Sequence, residues 1–212
     1  GGLAGLSTAL QLARAGKRVA VLEAESVGFG ASGRNGGFVS AGYATDGDDI
    51  ARIAGKETAR KLHMLSIEGV DFVRDNIRAL GIDDAKPVPG LMSVLRYDDA
   101  ASLKAYAEQT RRDYGYELEY MDRDAVRSVL KSERYFQALR NPNAFHIHPL
   151  NYLRGIAREI ERLGGVIFER SPATATALSG PEKRVKTAGG EARARDVVFT
   201  TGGYTGGLNG RL

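Results

Sequence analysis

The sequence predicts an α/β fold of the Rossmann type carrying an inserted α+β segment, and three observations predict it. The opening GGLAGLSTALQLARAGKRVAVLE reads as a glycine turn, an amphipathic helix, a glycine stop and a hydrophobic strand closed by a carboxylate. A second helix-then-strand unit follows at 149–169, and short alternating segments after Ser171 read as a β-meander. Between them, residues 86–146 change period and read as the insertion.

In the first unit Leu3, Leu6, Leu10 and Ala13 recur at helical spacing, and Gly16 stands where a left-handed residue ends a helix. Arg18 to Leu22 is the strand. Gly2 and Gly5 fit the second and third glycines of G-x-G-x-x-G. There Gly2 lets backbone approach a pyrophosphate, and Gly5 lets the helix pack closely on the sheet. The helix start offers free N–H groups and a partial positive charge to phosphates. Glu23 lies about 20 residues on, where a carboxylate accepts from ribose hydroxyls and disfavours a 2′-phosphate. Glycine spacing alone also suits a plain helix cap; the strand and Glu23 together favour a nucleotide. The chain begins inside this loop, without the first glycine or the first strand, so a piece of a longer polypeptide is expected. A small domain with a helix-first start is the alternative.

Bulk properties exclude several classes. Thirty basic and 26 acidic residues are interleaved for a net charge of +4, too mild and diffuse for nucleic acid. No apolar run approaches the length of a membrane span. The absence of cysteine excludes disulfides, thiolate metal sites and a cysteine nucleophile, and fits a reducing, cytoplasmic setting. Many of the 27 glycines cluster at 1–5, 28–37 and 202–210.

The second cluster lies in a polar loop from Ala24 to about Tyr43, where Ser32, Arg34 and Asn35 sit among Gly28, Gly30, Gly33, Gly36 and Gly37. Small residues let backbone amides face an anion or ring, while Ser and Asn supply short hydrogen-bonding groups. A flexible surface loop is the plain alternative. Glu23 followed by GFGASGRNGGF resembles the flavin-dependent D-amino-acid oxidase superfamily, which includes sarcosine oxidase and glycine oxidase. The G-A-S-G-R-N-G-G wording is most similar to its gamma-glutamylputrescine oxidase branch. The resemblance implies FAD, with Ser32, Gly33, Arg34, Asn35, Gly36 and Gly37 wrapping the pyrophosphate and ribityl chain and reaching the ring.

Residues 48–80 read as two helices broken near Gly55, with Leu62, Leu65, Val70, Val73, Ile77 and Leu80 as an apolar stripe and His63 structural. Pro87, Pro89 and Gly90 punctuate the next boundary. Leu91 to Tyr97 then reads as a strand, Ala100 to Tyr114 as a helix and Tyr116 to Tyr120 as a strand, and Asp122 caps a helix to Leu130. The expected partition is 1–85 and 147–212 for the FAD-binding domain, with 86–146 on the substrate side, where the resemblance implies an antiparallel sheet over the flavin ring.

His146 and His148 have no third ligand nearby, so no metal is expected, and one is expected to cap the following helix. The H-I-H-P-L string resembles the same branch. Pro149 suits a first helical position, and Leu150, Leu153, Ile156, Ile160 and Leu163 form the buried stripe before Gly164 and Gly165. Val166 to Glu169 returns to the main sheet. The meander strands are read in SPATATAL, at Arg184–Thr187 and at Arg193–Thr200, with Gly189-Gly190 as a turn. The resemblance implies a backbone contact to adenine near Ala173. It also matches V-V-F-T-T-G-G-Y to a family strand followed by A-T-G, with Thr200 in place of Ala, which brings Thr201, Gly202 and Gly203 toward the adenosine–pyrophosphate side.

The chemistry implied is oxidation of a C–N bond in a small amine or amino acid by hydride transfer to flavin N5. The imine then hydrolyses, and oxygen or another acceptor takes the electrons. No residue in 1–212 is an obvious catalytic acid or base; Arg34 is a candidate charge near the cofactor, a phosphate partner or a surface ion pair. Two other readings stand beside this one: an NAD-dependent dehydrogenase, with no use for the 28–37 loop, and a nucleotide-binding fragment without activity.

Overall fold

The structure is a computed structural model that describes residues 1–208; Gly210, the last of the third glycine cluster, lies outside them. In chain order the elements are α1 (Leu3–Arg14), β1 (Ala20–Leu22), β2 (Phe38–Val39), α2 (Gly47–Ala54), α3 (Lys56–Ala79), β3 (Val88–Val94), α4 (Ala100–Tyr114), β4 (Glu119–Met121), α5 (Arg123–Leu130), β5 (Ala138–His146), α6 (Pro149–Arg162), β6 (Val166–Phe168), β7 (Ala173–Ala177), β8 (Lys183–Thr187) and β9 (Gly190–Ala194). The chain divides into two compact units. Residues 1–36, 77–85 and those from His148 onward form the first; 37–76 and 86–147 form the second. Residues 37–76 thus group with the insertion rather than with the 1–85 segment, because β2 pairs with β5.

In the first unit β1 and β6 run parallel, Ala20 opposite Val166 and Leu22 opposite Phe168. The apolar stripes of α1 and α6 meet as the core: Leu6, Ala9, Leu10 and Ala13 from one, Tyr152, Leu153, Ile156 and Ile160 from the other. Leu3, at the start of the predicted stripe, is exposed. Gly16 ends α1 with φ +70, donating to Ala13 while Lys17 donates to Leu12, a Schellman closure. A Cβ on Gly155 would stand 2.6 Å from Ile82, so this glycine lets α6 press against the 77–85 segment.

The β-meander forms a three-stranded antiparallel sheet in the order β7-β8-β9. Its last strand differs from the prediction. Thr187 pairs with Gly190, so Ala188 and Gly189 make the turn, and pairing runs only to Ala194. Among the described residues Val197–Thr200 alternates like a strand but joins no ladder.

In the second unit β5 is the middle strand. Arg140 pairs with Met92 of β3 and with Glu119 of β4, so those strands flank opposite edges, and β2 adds Phe38 opposite His146. Pro142 interrupts β5, and the Asn141 side chain stands in for the ladder, accepting from the N–H groups of Asn143 and Ala144 and from the Tyr116 hydroxyl. β3 begins three residues before its predicted start and contains Pro89-Gly90. The ladder slips there in a bulge, a place that tolerates a strand proline, and Gly90 takes φ +87. α2 and α3 are separated at Gly55 (φ +85), and Asp122 caps α5 by accepting from Ala125 N–H at 2.9 Å. Among the described residues no helix is long and apolar enough to cross a membrane.

Candidate functional site

Three glycines at the start of the first unit each abut a residue from a distant part of the sequence. A Cβ on Gly1 would fall 2.5 Å from Glu23 Oε2, one on Gly2 would fall 2.9 Å from Ser32 Oγ, and one on Gly5 would fall 2.7 Å from Thr200 Oγ1. Real side chains do not make such contacts. Bare backbone at these positions therefore lets Glu23, Ser32 and Thr200 converge on the first turn of α1.

That turn lacks a cap of its own, because the N-cap residue is Gly2. Ser32 supplies one from outside, its Oγ accepting from Leu3 N–H at 3.0 Å. The N–H groups of Ala4 and Gly5 have no partner among the described residues. Two free donors and the positive end of the helix dipole make this turn complementary to an anion.

Glu23 follows β1, and its backbone is tied to the strand end opposite: its N–H donates to Phe168 O (2.9 Å), and its carbonyl accepts from Ser171 N–H (2.8 Å). Its carboxylate lies 2.8 Å from the Gly1 nitrogen and accepts from Glu25 N–H at 2.9 Å. Burial pushes this carboxyl up, while the N–H groups of Glu25 and Ala24 pull it down. Glu23 is charged at neutral pH.

The predicted 24–43 loop is locally bonded rather than loose. Residues Ala31–Gly33 form a 3-10 turn, and Asn35 Nδ2 donates to the carbonyls of Ala31 and Ser32, both at 3.0 Å, bracing the turn that carries Ser32. Gly28 has φ +74, and a Cβ on Gly33 would strike its carbonyl at 2.0 Å. Arg34 folds back, its guanidinium carbon 4.2 Å from the centre of the Phe29 ring and its Nε donating to Phe29 O. Gly36 is exposed. Gly37 belongs to the second unit, with φ +71 and its carbonyl accepting from Ile147 N–H at 2.9 Å.

Of the other predicted residues, Ala173 opens β7 and pairs with Thr187. The Thr201 and Thr205 hydroxyls bond each other, Gly202 takes φ +55, and Gly203 faces open space. The structure thus brings Gly2, Gly5, Glu23 and Ser32 to one place, with Gly33, Arg34 and Asn35 on the adjoining turn and Thr201 one residue beyond Thr200. Among the described residues no hydrogen bond runs from Ala173, Gly202 or Gly203 to that group. His148 Nδ1 accepts from Asn151 N–H and caps α6; His146 ends β5.

Sequence reasoning missed three contributors. Thr200 was visible only as a departure from the family pattern, Phe29 only as an aromatic among glycines. Glu169, whose Oε1 accepts from Val27 N–H at 2.6 Å, carried no signal at all.

A glycine-opened helix, a carboxylate after the following strand, a meander and an α+β insertion together define a flavoprotein of the D-amino-acid oxidase type. The chain belongs to the DAO family, FAD dependent oxidoreductase, whose match spans residues 1–212. It is 40% identical over 207 residues to gamma-glutamylputrescine oxidoreductase of Escherichia coli K12, covering 97% of this chain and 48% of that protein. It is 29% identical over 215 residues to glycine oxidase of Bacillus licheniformis, covering 98% of this chain and 54% of that one. Among solved structures, glycine oxidase from Geobacillus kaustophilus superposes with a TM-score of 0.77 at 19% identity, over 98% of this chain and 55% of that one. NikD, an amino acid oxidase of nikkomycin biosynthesis, gives 0.69 at 20% identity, over 98% and 51%. The chain spans about half the length of the curated relatives it matches. The family's cofactor is FAD, which sets aside the NAD reading.

Proposed function

We propose that the first unit holds the adenosine diphosphate part of FAD against the start of α1, and that the intact protein oxidises the C–N bond of an amine or amino acid. The observation that carries this is the convergence of Glu23, Ser32 and Thr200 on three side-chain-free positions of one helix turn. Glu23, charged and fixed at the end of β1, accepts from the ribose hydroxyls. The free N–H groups of Ala4 and Gly5 and the Ser32 hydroxyl serve the pyrophosphate, with Gly2 letting the backbone approach it and Gly5 leaving room for Thr200. Gly33, Asn35, Gly36 and Gly37 shape the loop leading toward the ring, and Arg34 supplies positive charge. Ala173 and the backbone of Thr201, Gly202 and Gly203 serve the adenosine side, and the second unit is the substrate side.

FAD, when bound, supplies the two-electron acceptor for the substrate's C–H hydride. A relative named for gamma-glutamylputrescine and another named for glycine support a primary or secondary amine as substrate, in the gamma-glutamylputrescine or sarcosine class. Oxygen is the proposed final acceptor. The test is to purify the intact protein, record its visible spectrum and add gamma-glutamylputrescine, sarcosine and D-alanine separately without air. Bleaching of flavin absorbance by one of them, with colour returning on aeration, is expected. A yellow protein bleached by no amine contradicts the substrate class.

A further inference from the structure

Phe29 stands among glycines in the 24–43 loop, and the structure builds a small device around it. Among the described residues Arg34 makes no ion pair with a carboxylate. Its Nε is committed to the Phe29 carbonyl and its guanidinium plane to the Phe29 ring, with 4.2 Å from guanidinium carbon to ring centre. The outer guanidinium nitrogens, with four N–H donors, have no hydrogen-bond partner among the described residues. Phe29 is 47% exposed, and among the described residues its ring faces the Arg34 cation and stacks on no other aromatic ring. Gly28, at φ +74, turns the chain into Phe29, and the Phe29 N–H donates back to Ser26 O at 2.9 Å. Arg34 closes the same 3-10 turn, donating its N–H to Ala31 O (3.2 Å), and that turn holds Ser32 on the first turn of α1. A cation has been fixed in one rotamer by a ring and a carbonyl, with no neighbouring carboxylate to neutralise it.

We propose that Phe29 is a positioning residue: it pre-orders Arg34 so that the outer guanidinium N–H groups meet a diphosphate seated at the start of α1. This rests on the FAD reading above and deepens it. Guanidinium on an aromatic face loses little hydration and little side-chain freedom on binding, and its paired N–H groups match phosphate oxygens.

The test uses the intact protein stripped of flavin and titrated with FAD, followed by flavin fluorescence at low and raised salt, with apoprotein thermal midpoints as a control for folding. Arg34→Gln is expected to weaken FAD binding and flatten its salt dependence. Phe29→Leu, which keeps apolar bulk but loses the ring face, is expected to weaken binding by about three- to thirtyfold, with an unchanged thermal midpoint; Phe29→Tyr is expected to bind as wild type does. In the Arg34→Gln background, Phe29→Leu is expected to add nothing further. Wild-type uptake of FAD with Phe29→Leu unaffected overturns this inference alone, as does an equal loss in both backgrounds. A folded wild-type protein that takes up no FAD overturns the underlying reading, and this inference with it.

Discussion

The Thr200 hydroxyl oxygen stands 2.7 Å from where a Cβ on Gly5 would lie. Alanine normally favours a helix over glycine by about 1 kcal/mol. At Gly5 that gain meets the Thr200 side chain, and overpacking typically costs about 1–3 kcal/mol. Gly5→Ala is therefore expected to destabilise the protein, whereas in a Thr200→Ala background the same change is expected to be neutral or stabilising. A double-mutant cycle by urea denaturation reads this; additive effects would mean the two residues do not meet.

Ser32 caps α1 from 29 positions away in sequence. Ser32→Ala leaves the Leu3 N–H unsatisfied and is expected to cost about 1 kcal/mol, the usual loss on removing a helix cap. Hydrogen exchange localises the effect: faster exchange is expected at Leu3, with the far end of α1 unaffected.

How much of this was legible depends on the range of the interactions. The helices carry their signals locally, and Gly16, Gly55 and Asp122 end, separate and cap them where the spacing said they would. β5 was unreadable because Arg140-Asn141-Pro142-Asn143 breaks its alternation, and Asn141 repairs the gap with a side chain no pattern anticipates. Val197–Thr200 shows the converse: a pattern that alternates correctly but pairs with no strand among the described residues. In the candidate site, Gly2, Gly5, Glu23 and Ser32 could be named from motif spacing. The pairing of Gly5 with Thr200 could not, since it joins positions nearly the length of the chain apart.

His63 gives a pH prediction independent of any cofactor. Its ring stacks on Tyr114 with centroids 3.9 Å apart, and its buried Nε2 has no partner among the described residues. Burial holds its pKa below the ordinary imidazole value. The unfolded chain therefore takes up this proton more readily than the folded one. The stability involved is fully present above the unfolded value of about 6.5 and is lost as pH falls from there through the lower folded pKa. Urea midpoints measured at falling pH should show this loss, and His63→Phe should flatten that part of the profile. An unchanged profile in the variant would place the titration elsewhere.

The central claim, that separated segments meet at the start of α1 to hold FAD, is tested most directly by titrating the flavin-free intact protein with FAD, wild type beside Gly2→Val. A valine there meets Ser32 Oγ at 2.9 Å from its Cβ and fills the space kept bare. Saturable uptake of one FAD per wild-type chain is expected, with loss of that uptake in a variant that remains folded by circular dichroism. Equal FAD affinity in the two proteins, or none in a folded wild type, would contradict the claim.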